Sequence, residues 1–177
     1  MARIAYIAEE EAGTDIRDLL EKLAPLNIFR MMAQAPGLLR PFANLGSAFL
    51  YRGQLDPVLR ECAILRVGYL SGATYETAQH EKIGRDIGMT EALFTALKQG
   101  PAAEELTLAQ RLVVTFVDDL VINVRASDDS FHPVLQHFGT AQTQELVLLT
   151  GYYMMVCRFL ETFDVDIEPG GAAGLSL

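Results

Sequence analysis

Apolar and polar residues nowhere alternate strictly along this chain. Apolar residues recur at helical spacing instead, in successive segments set between start and stop signals. A chain patterned this way has no amphipathic strand to contribute to a sheet, so the prediction is an all-α fold. With 177 residues, half of them apolar, there is material for one sizeable core and one domain, residues 1–177.

The segments fall out in order. Asp15 to Ala24 forms a short helix with Ile16, Leu19, Leu20 and Leu23 on one face; Thr14 or Asp15 caps it and Pro25 follows. Ile28 to Ala35 is a second, ended by Pro36-Gly37, and Leu38 to Tyr51 a third, with Pro41 in its first turn. Asp56-Pro57 places an acid at an N-cap and proline at the first helical position; that helix runs to about Leu70 before Ser71-Gly72 breaks or bends it. Another begins near Thr74, with Gly88 suited to a left-handed C-terminal position. Thr90 caps a helix ending near Gly100-Pro101. Thr107 and Gln110 form a capping box for one reaching Val124. Asp128 to Phe138 is stopped by Gly139, and Gln142 to Phe163 is apolar almost all round in its middle, as a helix buried in the core or between subunits is. Glu61 and Glu145 each open a run of apolar residues, a faint echo of a duplicated unit. The tail from Glu168 to Gly174 reads as loose.

A net charge of −9 argues against nucleic acid and anionic membranes as partners. The N-terminus has no long apolar core after its basic residue, and Leu146 to Cys157 is too short to span a bilayer, so the expected location is cytoplasmic. Cys62 and Cys157 both sit inside apolar helical patterns and are expected to be buried free thiols. His132 and His137 are five apart with no third ligand in metal-site spacing, and no Gly-rich phosphate loop occurs; neither metal nor cofactor is expected.

The segment from Glu61 to His80 is where chemistry is most legible. Glu76 and His80, four apart, share a helix face. Glu61 belongs to the preceding helix, and a carboxylate that orients or relays protons to an imidazole is a common acid/base pair. At 1.5 Å per residue, Glu61 lies about 15 Å from the Ser71-Gly72 break along one helix and His80 about 10 Å along the next. Contact between them therefore depends on a tight antiparallel pairing.

Arg60, Glu61, Ile64, Leu65, Arg66, Val67, Tyr75, Glu76 and His80 match the core motif of the carboxymuconolactone decarboxylase superfamily, which includes the alkylhydroperoxidase-D-like proteins: "R-E-x-x-I-L-R-V", a polar break, then "Y-E-x-x-x-H". The run from Gly151 to Leu160 resembles the family's C-terminal helix, so the resemblance spans roughly Asp15 to Glu168. It implies the alkylhydroperoxidase-D-like helical fold and the antiparallel pairing that brings Glu61 to His80. It also implies a homo-oligomer, a trimer or a hexamer.

In the peroxidase branch a Cys-x-x-Cys pair falls on Ala73 and Glu76, and neither is a thiol here. The thiol-free branch, which resembles the decarboxylase, fits better. It implies a cofactor-free acid/base enzyme acting on a small carboxylated or lactone-like molecule, with His80 transferring the proton and Glu61 orienting it. Tyr75, Glu76, Arg60 and Arg66 are the candidate substrate-binding residues. Arg158 is expected to pair with Asp118 or Asp119. Thr77 and Met154 stand where Trp and Asn are common in this branch and are expected to alter the pocket. The alternatives are a thiol-dependent antioxidant protein and a non-enzymatic oligomeric scaffold.

Overall fold

Asp56 starts the helix that the rest of the molecule surrounds. Its carboxylate accepts hydrogen bonds from the backbone N–H groups of Val58 at 2.9 Å and Leu59 at 3.2 Å, and Pro57 occupies the first helical position, where a missing N–H costs nothing. The computed structural model describes residues 1–8 and 10–172. Its helices are α1 (Thr14–Lys22), α2 (Asn27–Met32), α3 (Pro36–Arg52), α4 (Pro57–Ser71), α5 (Thr74–Asp86), α6 (Glu91–Gln99), α7 (Leu108–Asn123) and α8 (Asp128–Phe163). Among the described residues there is no strand.

α4 is buried on every side from Arg60 to Gly68. α5, α6, α7 and α8 pack around it, so Cys62, Ala63, Ile64, Leu65 and Val67 are fully enclosed. Residues 142–163, expected to be buried in the core or between subunits, are one-sided within the chain. Leu146, Leu149, Tyr153, Val156, Cys157 and Leu160 face the core while Val147, Leu148 and Met155 are exposed. α8 is the one described helix long and apolar enough to cross a membrane by length and composition. Gly139, at φ 75°, ψ 176°, breaks it as expected, and its inner face packs on α4 and α7 in the manner of a core helix.

Most boundaries follow the sequence signals. Thr107 and Gln110 form the reciprocal capping box, and Gly88 takes a left-handed φ of 92° just past α5. Three details differ. α1 is preceded by Gly13 with no side-chain cap, rather than capped by Thr14 or Asp15. α3 begins at Pro36, whose fixed φ suits a first helical position, and this leaves Pro41 inside the helix rather than in its first turn. Glu145, the partner in the faint repeat, is not a second Glu61: its carboxylate accepts from the backbone N–H of Gln54 at 2.7 Å and of Leu55 at 3.4 Å, fixing the α3–α4 loop.

The tail is anchored rather than loose at its start. Glu168 accepts from Asn27 N at 2.7 Å, from the Tyr75 hydroxyl at 2.6 Å and from Gln79 Nε2 at 2.6 Å. Of the segment expected to be loose, Ala173 and Gly174 lie outside the described residues.

Candidate active site

The α4–α5 turn is a tight reversal. Gly72 adopts φ 64°, a conformation costly for other residues, and Ala73 N–H reaches back to Gly68 O at 3.0 Å. The two helices then run antiparallel in close contact. A Cβ at Gly68 would lie 2.8 Å from the Thr77 methyl carbon, so glycine is required for that approach. This crossing carries Glu61 and His80 to each other over the distance the sequence left open.

Glu61 Oε2 lies 2.6 Å from His80 Nδ1. On the other side of the ring, His80 Nε2 is 3.1 Å from Glu76 Oε1. The second approach is within ion-pair distance but off the line of a hydrogen bond, and Glu76 Oε1 is buried with no hydrogen-bond partner among the described residues. Arg60 closes the cluster from behind, with Nε 3.4 Å from Glu61 Oε1 and a further nitrogen 3.0 Å from Leu50 O. All four residues are at least nine-tenths buried.

Burial works against a charged imidazole here, but the carboxylates of Glu61 and Glu76 outweigh it and raise His80 to about 10. At neutral pH the arrangement is therefore an imidazolium held between two carboxylates, with the Arg60 guanidinium balancing the second negative charge.

His80 and Glu76 open onto a cavity of about 610 Å³. Six Phe and Tyr residues contribute to its walls: Phe29 from α2, Phe42 and Tyr51 from α3, Tyr75 from α5, and Tyr152 and Tyr153 from α8. The Tyr153 ring stands edge-on to His80, with centroids 5.1 Å apart and planes at 88°. Tyr152 is tied by its hydroxyl to Phe42 O at 3.1 Å. Lys22, at the end of α1, supplies a cation among the lining residues.

Of the residues singled out from the sequence, His80, Glu76 and Tyr75 line this cavity and Glu61 stands directly behind His80. Arg60 and Arg66 do not line it, which corrects their expected place at the substrate. Arg60 is occupied with Glu61 and Leu50. Arg66 is a buried structural arginine: Nε and a terminal nitrogen bind the Asp118 carboxylate at 2.5 and 2.8 Å, and its other nitrogen meets Leu97 O at 2.9 Å. Asp118 is thereby engaged, and Asp119 accepts from Ser127 N and Ser130 Oγ at 2.6 Å each. Arg158 pairs with neither; it donates to Met154 O at 2.9 Å. Thr77 and Met154 are also absent from the cavity wall. Thr77 fills the space over Gly68 and donates to Ala73 O at 3.1 Å.

Both thiols are free and buried. Neither lines the cavity. Burial, reinforced by Glu61, pushes Cys62 up to about 12; burial, reinforced by Glu76, does the same to Cys157. Cys157 borders a separate hollow of about 280 Å³ with Ser71 and Arg158. Thiols so protonated are poor nucleophiles. Among the described residues no group of three His, Cys, Asp or Glu side chains is placed to hold a metal ion.

The aromatic residues of α2, α3 and α8 were not foreseen as cavity walls. The Gly151-Tyr152-Tyr153 run was visible as part of a helix, but nothing local says which face meets His80.

The profile of the Carboxymuconolactone decarboxylase family matches residues 36–97, the stretch that holds α3, α4 and α5 and hence Glu61, Glu76 and His80. No curated protein matches the chain in sequence. Among solved structures, an uncharacterised peroxidase-related protein from Ralstonia eutropha with an alkylhydroperoxidase AhpD core superposes with a TM-score of 0.81 at 17% identity, over 96% of this chain and 93% of that one. A peroxidase-related protein from a Silicibacter species gives 0.77 at 17% identity, over 93% and 88%. A Cys-to-Ala variant of the debrominase Bmp8, in complex with 2,3,4-tribromopyrrole, gives 0.75 at 13% identity, over 96% and 95%. At these identities the structural likeness is one of fold, while the matched segment is one of sequence. The sequence match thus covers residues 36–97 of the 177, and the likeness over nearly the whole chain is to the fold of the alkylhydroperoxidase AhpD core.

Proposed function

We propose that this protein is an acid/base enzyme that moves a single proton on a small, flat, carboxylated or lactone-like substrate, as a carboxymuconolactone decarboxylase does. The observation that carries this reading is the Glu61–His80–Glu76 chain, with contacts of 2.6 and 3.1 Å, at the wall of an aromatic cavity. Decarboxylation breaks the bond to the carboxylate carbon, releases carbon dioxide and leaves an enolate whose carbon must take a proton. His80 holds that proton on Nε2, beside Glu76, and Glu61 fixes the ring through Nδ1. Glu76, with one oxygen uncommitted, passes the proton on to the substrate carbon, and His80 restores it.

The walls favour a ring-shaped substrate, since six aromatic residues contribute to them. Lys22 is the one lysine among the lining residues and suits a substrate carboxylate directed towards it. The debrominase with this fold takes a small flat ring, which supports the same size class. Thiol chemistry is disfavoured, because Ala73 and Glu76 occupy the two positions of the peroxidase pair and both cysteines lie off the cavity.

The experiment is a turnover screen of carboxylated lactones and small unsaturated acids, followed by proton NMR, with wild type and His80→Ala. A substrate turned over by wild type and lost by roughly 10²–10⁴-fold in the variant supports the reading. Full activity in a folded His80→Ala protein overturns the site.

A further inference from the structure

Two polar groups beside His80 make no hydrogen bond among the described residues, and they are complementary. Glu76 Oε1 meets His80 Nε2 as an ion pair but accepts no hydrogen bond from a described residue. Tyr153, only 4% exposed, lines the same cavity, and its hydroxyl hydrogen-bonds to no described residue. The hydroxyls of Tyr75 and Tyr152, which line the cavity too, are engaged by Glu168 at 2.6 Å and by Phe42 O at 3.1 Å. Both groups adjoin His80, Glu76 at 3.1 Å from Nε2 and Tyr153 with its ring edge-on at 5.1 Å. A buried acceptor is almost always paired, so Glu76 Oε1, with the unbonded Tyr153 hydroxyl on the same wall, points to a ligand that pairs them. That ligand carries an oxygen acceptor and an acidic hydrogen a few ångströms apart.

We propose that Tyr153 is a further catalytic residue, the donor to the substrate's carbonyl oxygen, and that the site enolises small carbonyl compounds whether or not they carry a carboxylate to lose. The proposal rests on the acid/base reading above and extends it to a second activity. In the step, the C–H bond next to the carbonyl breaks and its proton goes to the Glu76 carboxylate. The bonding pair forms the enolate C=C bond, and the charge develops on oxygen. Tyr153 donates a hydrogen bond to that oxygen, with the His80 imidazolium beside it. Return of a proton from Glu76 to carbon restores the ketone, so no oxidant, reductant or second substrate is consumed. Burial, and then the charge of Glu76, raise the Tyr153 phenol well above its ordinary range, so it remains a donor throughout.

The test is hydrogen exchange in heavy water, with levulinate and cyclopentanone as probes and proton NMR as the readout. Wild type is expected to speed loss of the α-hydrogen signals at least about tenfold over buffer. Tyr153→Phe is expected to lower kcat by roughly 10²-fold, the scale of one oxyanion donor, with KM nearly unmoved, and Glu76→Gln to abolish exchange. A binding readout accompanies it: 4-nitrophenol, an enolate mimic whose colour reports its ionisation, is expected to bind wild type as the anion and Tyr153→Phe about tenfold more weakly. Circular dichroism checks that each variant is folded.

Exchange lost in Glu76→Gln but untouched in Tyr153→Phe overturns the role of Tyr153 and leaves the acid/base site standing. Exchange by wild type no faster than buffer overturns the enolisation activity. Turnover of a carboxylated lactone by that same sample would then show that the decarboxylase reading survives without it.

Discussion

Glu61 Oε2 lies 2.6 Å from His80 Nδ1 although the two are nineteen residues apart, on helices joined by the two residues Gly72 and Ala73. The contact is buried, so the charge on Glu61 is felt at full strength by the ring. Glu61→Gln keeps the size and an acceptor oxygen but removes that charge. The His80 imidazole is expected to titrate well below its raised value of about 10, measured by NMR of the ring protons. Turnover should fall by roughly 10²-fold. An unchanged titration would mean that Glu76 alone holds the proton on His80.

The same raised pKa makes stability pH-dependent, with a defined sign. In the unfolded chain His80 titrates near its ordinary 6.5, and in the folded protein near 10. The folded state thus binds the proton more tightly. Its contribution is fully present below about pH 6.5 and is lost as pH rises towards 10. Urea midpoints measured across that window should fall for wild type and fall less for His80→Gln. Parallel curves for the two proteins would place the imidazole's titration elsewhere.

The buried thiols yield a prediction opposite to that of a thiol antioxidant. Native protein should leave both cysteines unreactive towards a thiol reagent, and denatured protein should expose the two of them. The Cys62→Ala, Cys157→Ala double variant should keep full turnover of any substrate found. Peroxide consumption by wild type that disappears in the double variant would restore the antioxidant reading.

Arg66 is placed for stability rather than catalysis. Its fork on Asp118, together with the bond to Leu97 O, joins α4 to α7 and to the end of α6. Arg66→Met leaves the partly buried Asp118 without its cation, and a loss of about 3 kcal/mol is expected by urea denaturation, the cost typical of breaking such a pair. KM and kcat should stay near wild type at a temperature where the variant is folded. A selective rise in KM would return Arg66 to the substrate.

What the sequence revealed and what it hid divide along one physical line. Helix starts and stops are local: Asp56-Pro57, the Thr107–Gln110 box and Gly139 all act through neighbouring backbone, and the structure has them as read. The acid/base face was half local, since Glu76 and His80 are one helical turn apart. The rest of the pair needed a tight antiparallel pairing, which only the resemblance implied and which the Gly68–Thr77 close approach makes possible. The arginines were misplaced for the same reason. Whether a helix arginine points at a cavity, at solvent or at Asp118 depends on which helix packs opposite, and nothing in α4 itself states that α7 does. Tyr153 and Phe42 joined the cavity by the same non-local packing.

Glu168 shows how far such hidden contacts reach, and it yields the last prediction. Its carboxylate gathers three donors, the Asn27 backbone N–H at 2.7 Å and the Tyr75 hydroxyl and Gln79 Nε2 at 2.6 Å. It thereby ties the chain after α8 to the start of α2 and to the α5 face that lines the cavity. Glu168→Ala leaves those donors without their acceptor, and a loss of about 2–3 kcal/mol is expected on the usual scale for charged hydrogen bonds. The released segment should be cut faster by limited proteolysis after Phe163, and substrate binding should weaken, because Tyr75 and Gln79 line the cavity. The Tyr75 phenol, raised by burial and then by Glu168, should titrate lower in the variant, followed by its ultraviolet absorbance. Wild-type stability and proteolysis in Glu168→Ala would show that the segment is held by its other contacts, such as Asp166 with Tyr6 and Ala2.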